Sequence, residues 1–287
     1  MSVDPAETSA RVASDAAMGA SRRTAPAARL DRSVRPASGK PCAVPVRDFP
    51  ATSGWLAEGS YRGLEILIAI VGLVVGLPFL LAAAVLVRCD SPGPAMFFHR
   101  RVARSAIARG RDLIHRSDLR PPPGGYDPDA LYYVPRYFTF PKLRTMYSDA
   151  RARFPALYDY QFAPGEFHKQ YAHTHSDPRI TRAGRILRKL SVDELPNLWS
   201  VLRGDVGLVG PRPESPDVLQ HYTPDEMYKF ACKPGITGLA QVNGRGLLNW
   251  GKTIEWDLRY VHTRSVMLDL KILLTTLIHL VGRRGAF

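Results

Sequence analysis

A run of 22 consecutive uncharged residues, Ile66 to Val87, constrains this chain more than any other feature. As a straight helix it extends about 33 Å, close to the hydrocarbon thickness of a bilayer. It is apolar on every side, unlike the one-sided stripe of a soluble core helix. Pro78 falls near its middle, after Gly72 and Gly76. A proline inside a helix removes a backbone hydrogen bond and bends the axis. Basic residues stand at both ends, Arg62 before the run and Arg88, Arg100 and Arg101 after it, whereas a simple span concentrates positive charge on one side. These features favour a re-entrant membrane helix over residues 61–89, broken near Pro78, with both flanks in the cytoplasm. A continuous crossing helix that tolerates its proline is the alternative.

The rest of the chain is different in character. Hydrophobic residues make up 45% of the 287 and charged ones 23%, which excludes wholesale disorder and a many-span membrane protein. A net charge of +13 points to an anionic partner: a phospholipid surface, a phosphorylated small molecule or nucleic acid. No RNA-binding aromatic motif, zinc-finger spacing or helix-turn-helix pattern accompanies the charge, so nucleic acid is not the expected partner. Cys42, Cys89 and Cys232 are far apart and suggest neither a disulfide framework nor a zinc site. Residues 1–60, rich in Ala, Ser, Pro and Arg, read as a flexible N-terminal leader. The Arg- and Pro-rich stretch 104–136 reads as a surface insertion in a catalytic domain spanning 90–287. Near 265–281 a helical pattern interrupted by Asp269, Lys271 and His279 predicts an amphipathic helix, interfacial or packed on the domain.

The informative chemistry lies between residues 137 and 262. A short extended element carries Lys142 and Arg144 onto one side. Asp177, Pro178 and Arg179 form a turn before a helix with Ile186, Leu187 and Leu190 as its apolar stripe. Ser191 and Glu194 have the spacing of a capping box, and Pro196 places Asp193 and Glu194 at a junction between helices. Two adjacent acids point about 100° apart on a helix and can divide two jobs, nucleophile or metal ligand and base or electrostatic partner, with Arg188 and Arg212 as phosphate contacts. A capping acid beside a surface acid is the competing interpretation, as solvated surface charge is for Lys142 and Arg144.

Ordered blocks then carry a resemblance: Lys142-Leu-Arg-Thr-Met146, Asp177-Pro-Arg-Ile-Thr181, Leu190-Ser-Val-Asp-Glu-Leu-Pro-Asn-Leu198, Val209-Gly-Pro-Arg-Pro213, Lys233-Pro-Gly-Ile-Thr-Gly238 continuing to Arg245, and Asp257-Leu-Arg-Tyr-Val261. Over roughly residues 61–280 the chain resembles the bacterial sugar transferase family, monotopic polyprenyl-phosphate sugar-1-phosphate transferases that begin exopolysaccharide and other surface glycan assembly. The resemblance implies a mixed α/β (α+β) cytoplasmic catalytic domain on the bacterial inner membrane, with a re-entrant helix, interfacial amphipathic helices and no full Rossmann fold. It implies a UDP-sugar donor, a polyprenyl (undecaprenyl) phosphate acceptor, Mg2+ and UMP release. Asp193 would be the nucleophile that holds the sugar phosphate covalently, and Glu194 would place the metal with it or steer acceptor deprotonation. Arg212, Arg188, Lys142, Arg144 and Arg245 would contact phosphate, amides near Gly235 and Gly238 would line the pocket, and Glu65 would lie at the headgroup boundary. Membrane lipids are implied partners and a homodimer is allowed. The family's Ser-Pro break is Leu77-Pro78 here, and both the 104–136 stretch and the leader depart from the family pattern. A noncatalytic membrane scaffold of polysaccharide assembly, a soluble nucleic-acid-binding protein and a UDP-releasing glycosyltransferase are the alternatives.

Overall fold

The computed structural model describes residues 40–47, 55–158, 162, 166–170, 177–244 and 247–281, with the backbone alone for 55–60 and 280–281. Strand β1 (Val44–Pro45) precedes a 36-residue helix, α1 (Trp55–Asp90), which contains the whole uncharged run. The backbone stays helical through Pro78, so the break expected there is reduced to the one hydrogen bond a proline nitrogen cannot donate. Val74, whose carbonyl loses that partner, is an exposed residue, and the Leu- and Ala-rich sequence beyond Pro78 continues the helix.

One narrow stripe of α1 packs on the rest of the protein. Arg62, Glu65, Ala69, Gly72, Gly76, Ala83, Val87 and Asp90 recur at intervals of three, four or seven residues, the spacing of a single helix face. Glu65 accepts from the Leu208 amide at 2.8 Å and pairs with Arg62 at 3.0 Å. Arg62 in turn donates to the carbonyls of Val201 and Leu202. Glu65 is therefore 4% exposed, buried against the domain. Ala69 belongs to the main core, and Ala83 and Val87 pack with Ala95, Leu143 and Leu187. At the far end Asp90 accepts from the Ala183 amide at 3.0 Å. Both ends of α1 are thus fastened to the same domain. Leu67, Val74, Val75, Phe79, Leu81 and Val85, on its other faces, are 58–68% exposed.

After α1, β2 (Met96–Val102), β3 (Ala106–Arg109), β4 (Leu131–Val134) and β5 (Tyr137–Leu143) follow in order. β2 and β5 form an antiparallel ribbon in which Phe97 faces Lys142 and Arg101 faces Phe138. β3 and β4 pair antiparallel, and β1 adds to the open edge of β4 with Val44 opposite Tyr133. β6 (Gly207–Val209) and β7 (Gly235–Thr237) pair in parallel. Among the described residues the strands form three small sheets, and with the helices they make a mixed α/β domain.

The 104–136 stretch builds a small lobe with its own core of Leu113, Leu119, Tyr132 and Val134, completed by Ala43. Residues 40–47 therefore depart from the flexible leader expected there: Ala43 donates to the Arg120 carbonyl at 3.1 Å and Val46 to the Leu131 carbonyl at 2.8 Å. The apolar cover they need comes from residues some 70 positions or more away, which local composition does not reveal. The rest of the leader lies outside the described residues. The lobe is fixed to the main domain by Ser105 N donating to the Phe230 carbonyl at 2.8 Å.

The helices α2 (Arg182–Leu190), α3 (Asn197–Arg203), α4 (Leu239–Gly244), α5 (Trp250–Thr263) and α6 (Val266–Val281) complete the domain. Thr181 caps α2 by accepting from the Gly184 amide at 3.0 Å, an N-cap's ordinary work. Of the expected α2 stripe only Leu187 is buried, while Ile186 and Leu190 are 52% and 58% exposed. Helix α6 turns Ile272 and Asp269 inward, with Asp269 accepting from the Tyr260 hydroxyl at 2.8 Å. Its outward residues Met267, Leu274, Leu277 and Ile278 are apolar and exposed. Such faces on several helices are what a lipid interface would cover.

Candidate active site

The acidic pair lies in a tight turn, Val192–Glu194, between α2 and α3. Ser191, which ends α2, has φ 56° and ψ 20°, and among the described residues it is the non-glycine with positive φ. That conformation costs an L-residue about 1 kcal/mol, and here it reverses the chain within one residue so that Asp193 turns inward. A helix N-cap needs extended backbone, so the capping box expected between Ser191 and Glu194 does not form, and Ser191 makes no side-chain cap.

Asp193 is 4% exposed. Burial and the neighbouring Glu194 carboxylate push its carboxyl above the usual range, while Lys142, Arg188 and Arg212 pull it back. Glu194 is less enclosed, and its Oε1 accepts from Arg212 Nη2 at 3.3 Å. Glu194 is also the leading influence holding the Arg212 guanidinium above its ordinary value. Burial draws Lys142, near the end of β5, down to about 8 against the opposing pull of Glu194 and Asp193. Arg188 Nε donates to Thr145 Oγ1 at 3.0 Å, and the Asp193 and Asp177 carboxylates offset the burial of its charge. Nearby on β2, His99 is drawn down to about 4, first by burial and then by Arg101 and Lys142.

The structure therefore brings Asp193, Glu194, Lys142, Arg188 and Arg212 together, and their positions follow from local packing. Gly184 allows α2 to approach strand β5's continuation, since a Cβ there would collide with the Thr145 carbonyl. The Gly235 amide is occupied by the Pro211 carbonyl at 3.0 Å, so it anchors the loop bearing Arg212 instead of lining a pocket. A Cβ on Gly235 would strike the Gly210 amide, which is why this approach takes glycine.

Arg144 has another job. Its guanidinium donates to the carbonyls of Val87, Ser91 and Gly93 at 3.3, 2.6 and 3.4 Å and to that of Pro92. It closes the C-terminal end of α1, as basic side chains do at helix ends, and does not join the acidic pair. Strand β5 ends at Leu143, so the alternation that would have put Lys142 and Arg144 on one side stops between them. Arg245 lies outside the described residues. The Asp177 and Arg179 side chains close a turn on each other at 2.7 Å.

A second ionic group escaped sequence reasoning. Lys229, with no exposed side-chain surface, lies 2.9 Å from both Glu214 Oε1 and Asp257 Oδ2. Glu214 follows Arg212 by two residues in the same loop. The available signal was a lysine between Tyr228 and Phe230, charge within an aromatic stretch.

Among the described residues no group of three or more His, Cys, Asp and Glu is placed to hold a metal ion. Asp193 and Glu194 offer adjacent carboxylate oxygens, which suits a hard cation that completes its shell with substrate phosphates and water.

A family model described as bacterial sugar transferase matches residues 133–283. Caulobacter vibrioides UDP-glucose:undecaprenyl-phosphate glucose-1-phosphate transferase is 34% identical over 236 residues, 79% of this chain and 71% of that protein. The exopolysaccharide production protein ExoY of Sinorhizobium fredii is 28% identical over 228 residues, 79% of this chain and 88% of that one. The uncharacterized sugar transferase EpsL of Bacillus subtilis is 53% identical over 98 residues, 34% of this chain and 48% of EpsL. Coverage of the curated relatives thus runs from under half of their length to most of it.

Proposed function

The chain belongs to the bacterial sugar transferase family, and from that premise we propose that it moves sugar 1-phosphate from a UDP-sugar to a polyprenyl phosphate at the cytoplasmic face of a bacterial membrane. The observation that carries this reading is the buried Asp193, one residue from the Glu194–Arg212 pair and faced by Lys142 and Arg188. Relatives named as a UDP-N-acetylgalactosamine-undecaprenyl-phosphate N-acetylgalactosaminephosphotransferase and a UDP-glucose:undecaprenyl-phosphate glucose-1-phosphate transferase suggest the donor and acceptor classes.

In the first step an Asp193 carboxylate oxygen attacks the sugar-bearing phosphorus. The bond from that phosphorus to the bridging oxygen breaks, UMP leaves with the electron pair, and the sugar phosphate stays on Asp193 as an acyl phosphate. In the second, an oxygen of polyprenyl phosphate attacks the same phosphorus and Asp193 departs as carboxylate, giving the polyprenyl-diphosphate sugar. Lys142, Arg188 and Arg212 are placed to hold phosphoryl oxygens as charge builds on them, the larger part of catalysis in such transfers. The raised basicity of Asp193 favours bond formation, and the cations around it preserve its ionised form. Asp193 and Glu194 would hold Mg2+, which when bound compensates phosphate charge.

For the membrane, α1 would dip into one leaflet with both flanks on the cytoplasmic side, which requires a bend at Pro78 beyond the continuous helix described above. Its attachment to one domain at Arg62–Glu65 and again at Asp90 supports this topology, because a domain on one side of a bilayer cannot hold both ends of a crossing helix. The exposed apolar residues of α1, α2 and α6 would then meet lipid. The test is intact-protein mass spectrometry with a panel of UDP-sugars and Mg2+ before acceptor is added. One sugar phosphate of added mass and released UMP are expected, both lost in Asp193→Asn. Wild-type UMP release by Asp193→Asn would remove Asp193 as nucleophile.

A further inference from the structure

We propose that Lys229 is a positioning residue that holds the Glu214 carboxylate away from Arg212, leaving the Arg212 guanidinium to the acidic pair and to substrate phosphate. The inference rests on the reading of Arg212 given above. Lys229 sits in a turn of helix, Glu226–Ala231. Its Nζ reaches Glu214 Oε1 and Asp257 Oδ2, both at 2.9 Å, and the Tyr222 hydroxyl at 3.3 Å. Lys229 and Asp257 have no exposed side-chain surface and Glu214 has 10%.

Such a trio is a poor way to fill a core. Buried ions lose their hydration, and well-packed apolar residues of similar size are often as stable or more so. Its location suggests what it does. The loop Pro211–Glu214 presents Arg212 on one side and Glu214 two residues later. The loop's backbone is tied to β2, with Val102 N donating to the Glu214 carbonyl at 2.9 Å and Arg101 Nη1 to that of Pro213 at 3.4 Å. What remains to be fixed is the Glu214 side chain. After Lys229, the cations that act on this carboxylate are Arg101 and Arg212. Deprived of Lys229, Glu214 would turn to them. A carboxylate and a guanidinium readily form a paired, two-bond contact, which would compete with Glu194 and with incoming phosphate for the same N–H groups.

A pair of backgrounds separates this role from core stability. Lys229→Met is placed in full-length Asp257→Asn and in full-length Glu214→Gln. Each double variant lacks one buried cation and one buried carboxylate, so the two carry the same net charge, but only the first keeps the Glu214 carboxylate. Phenylglyoxal labelling of Arg212, read by peptide mass spectrometry, reports whether the guanidinium is available, and UMP release reports turnover. In the Asp257→Asn background, adding Lys229→Met is expected to slow labelling and to cut UMP release by about tenfold, a coupling typical of groups in contact. In the Glu214→Gln background it should change neither by more than about twofold, and Lys229→Arg alone should stay near wild type. Equal losses in the two backgrounds, or unchanged Arg212 labelling in the first, would overturn the proposal. Lys229→Gln, which keeps a polar group at the buried end, replaces Lys229→Met if that chain does not fold. Labelling that follows the expected pattern in a wild-type protein unable to release UMP would instead count against the proposed function.

Discussion

Arg144→Met tests the assignment of the guanidinium to the end of α1. In the wild type, Arg144 is 5% exposed and donates to four carbonyls between Val87 and Gly93, with the contacts to Val87 and Ser91 buried. Truncation to methionine keeps the apolar stem but leaves those carbonyls without their charged donor. Ser91 N still donates to the Val87 carbonyl at 3.2 Å, so the main orphan is the Ser91 carbonyl. A buried polar group left without a partner costs about 1–3 kcal/mol, and a hydrogen bond to a charged group contributes about 1.5–3 kcal/mol. With the partly exposed contacts to Pro92 and Gly93 added at the lower end, the expected loss is about 3–5 kcal/mol. For a domain of this size each kcal/mol shifts Tm by about 2–4 °C, so thermal unfolding of detergent-solubilised protein should move down by on the order of 10 °C. Arg144→Lys, which carries charge without the planar fork, should recover less than half of that. The folded fraction of Arg144→Met should release UMP at close to the wild-type rate below its transition. A variant with wild-type Tm and lost turnover would refute the reasoning and return Arg144 to the phosphate site.

Lys142 gives a pH signature. Its ammonium deprotonates as pH rises through about 8, so KM for the UDP-sugar should rise above that pH, and Lys142→Arg should move the alkaline limb upward. Steady-state UMP release from pH 6.5 to 9.5 checks this, and an unchanged limb in Lys142→Arg would remove Lys142 from donor binding. Because the folded value lies below the ordinary 10.5, the unfolded chain binds more protons between those two values. This group therefore makes the fold more stable as pH increases from about 8 to 10.5, with no contribution to the slope below that window. For topology, the exposed native Cys89 and a Gly59→Cys thiol should both react with an impermeant maleimide in inside-out vesicles and neither in right-side-out ones. Reaction from opposite sides would establish a crossing helix.

Much of this arrangement was legible because it is encoded locally. The uncharged run announces α1, and Pro196 after Leu190-Ser191 announces the junction that holds the acidic pair. Interactions between distant segments were not legible. Lys142 and Arg144 look equivalent in sequence, and the end of β5 at Leu143 separates them. The partner of Glu65 is the amide of Leu208, 143 positions later, which no local pattern indicates. Ile186 and Leu190 obey helical periodicity yet remain exposed, since the pattern marks an apolar face without saying whether protein or lipid covers it. Lys229 had no visible role until Glu214 and Asp257 converged on it from separate elements.

Strand β1 has a consequence for the order in which the chain can assemble. Val44 meets Tyr133 across α1 and two intervening strands, β2 and β3, so this closure joins residues 89 positions apart and cannot happen until the membrane helix has left the ribosome. Long-range closures of this kind form late and slow folding. Until it occurs, β4 presents an open edge of unpaired amides and carbonyls beside Tyr132 and Tyr133, a template for pairing with another chain. Removing residues 40–47 would make that transient edge permanent. Residues 40–47, before the membrane helix, and the 104–136 stretch, after it, are therefore halves of a single folding unit.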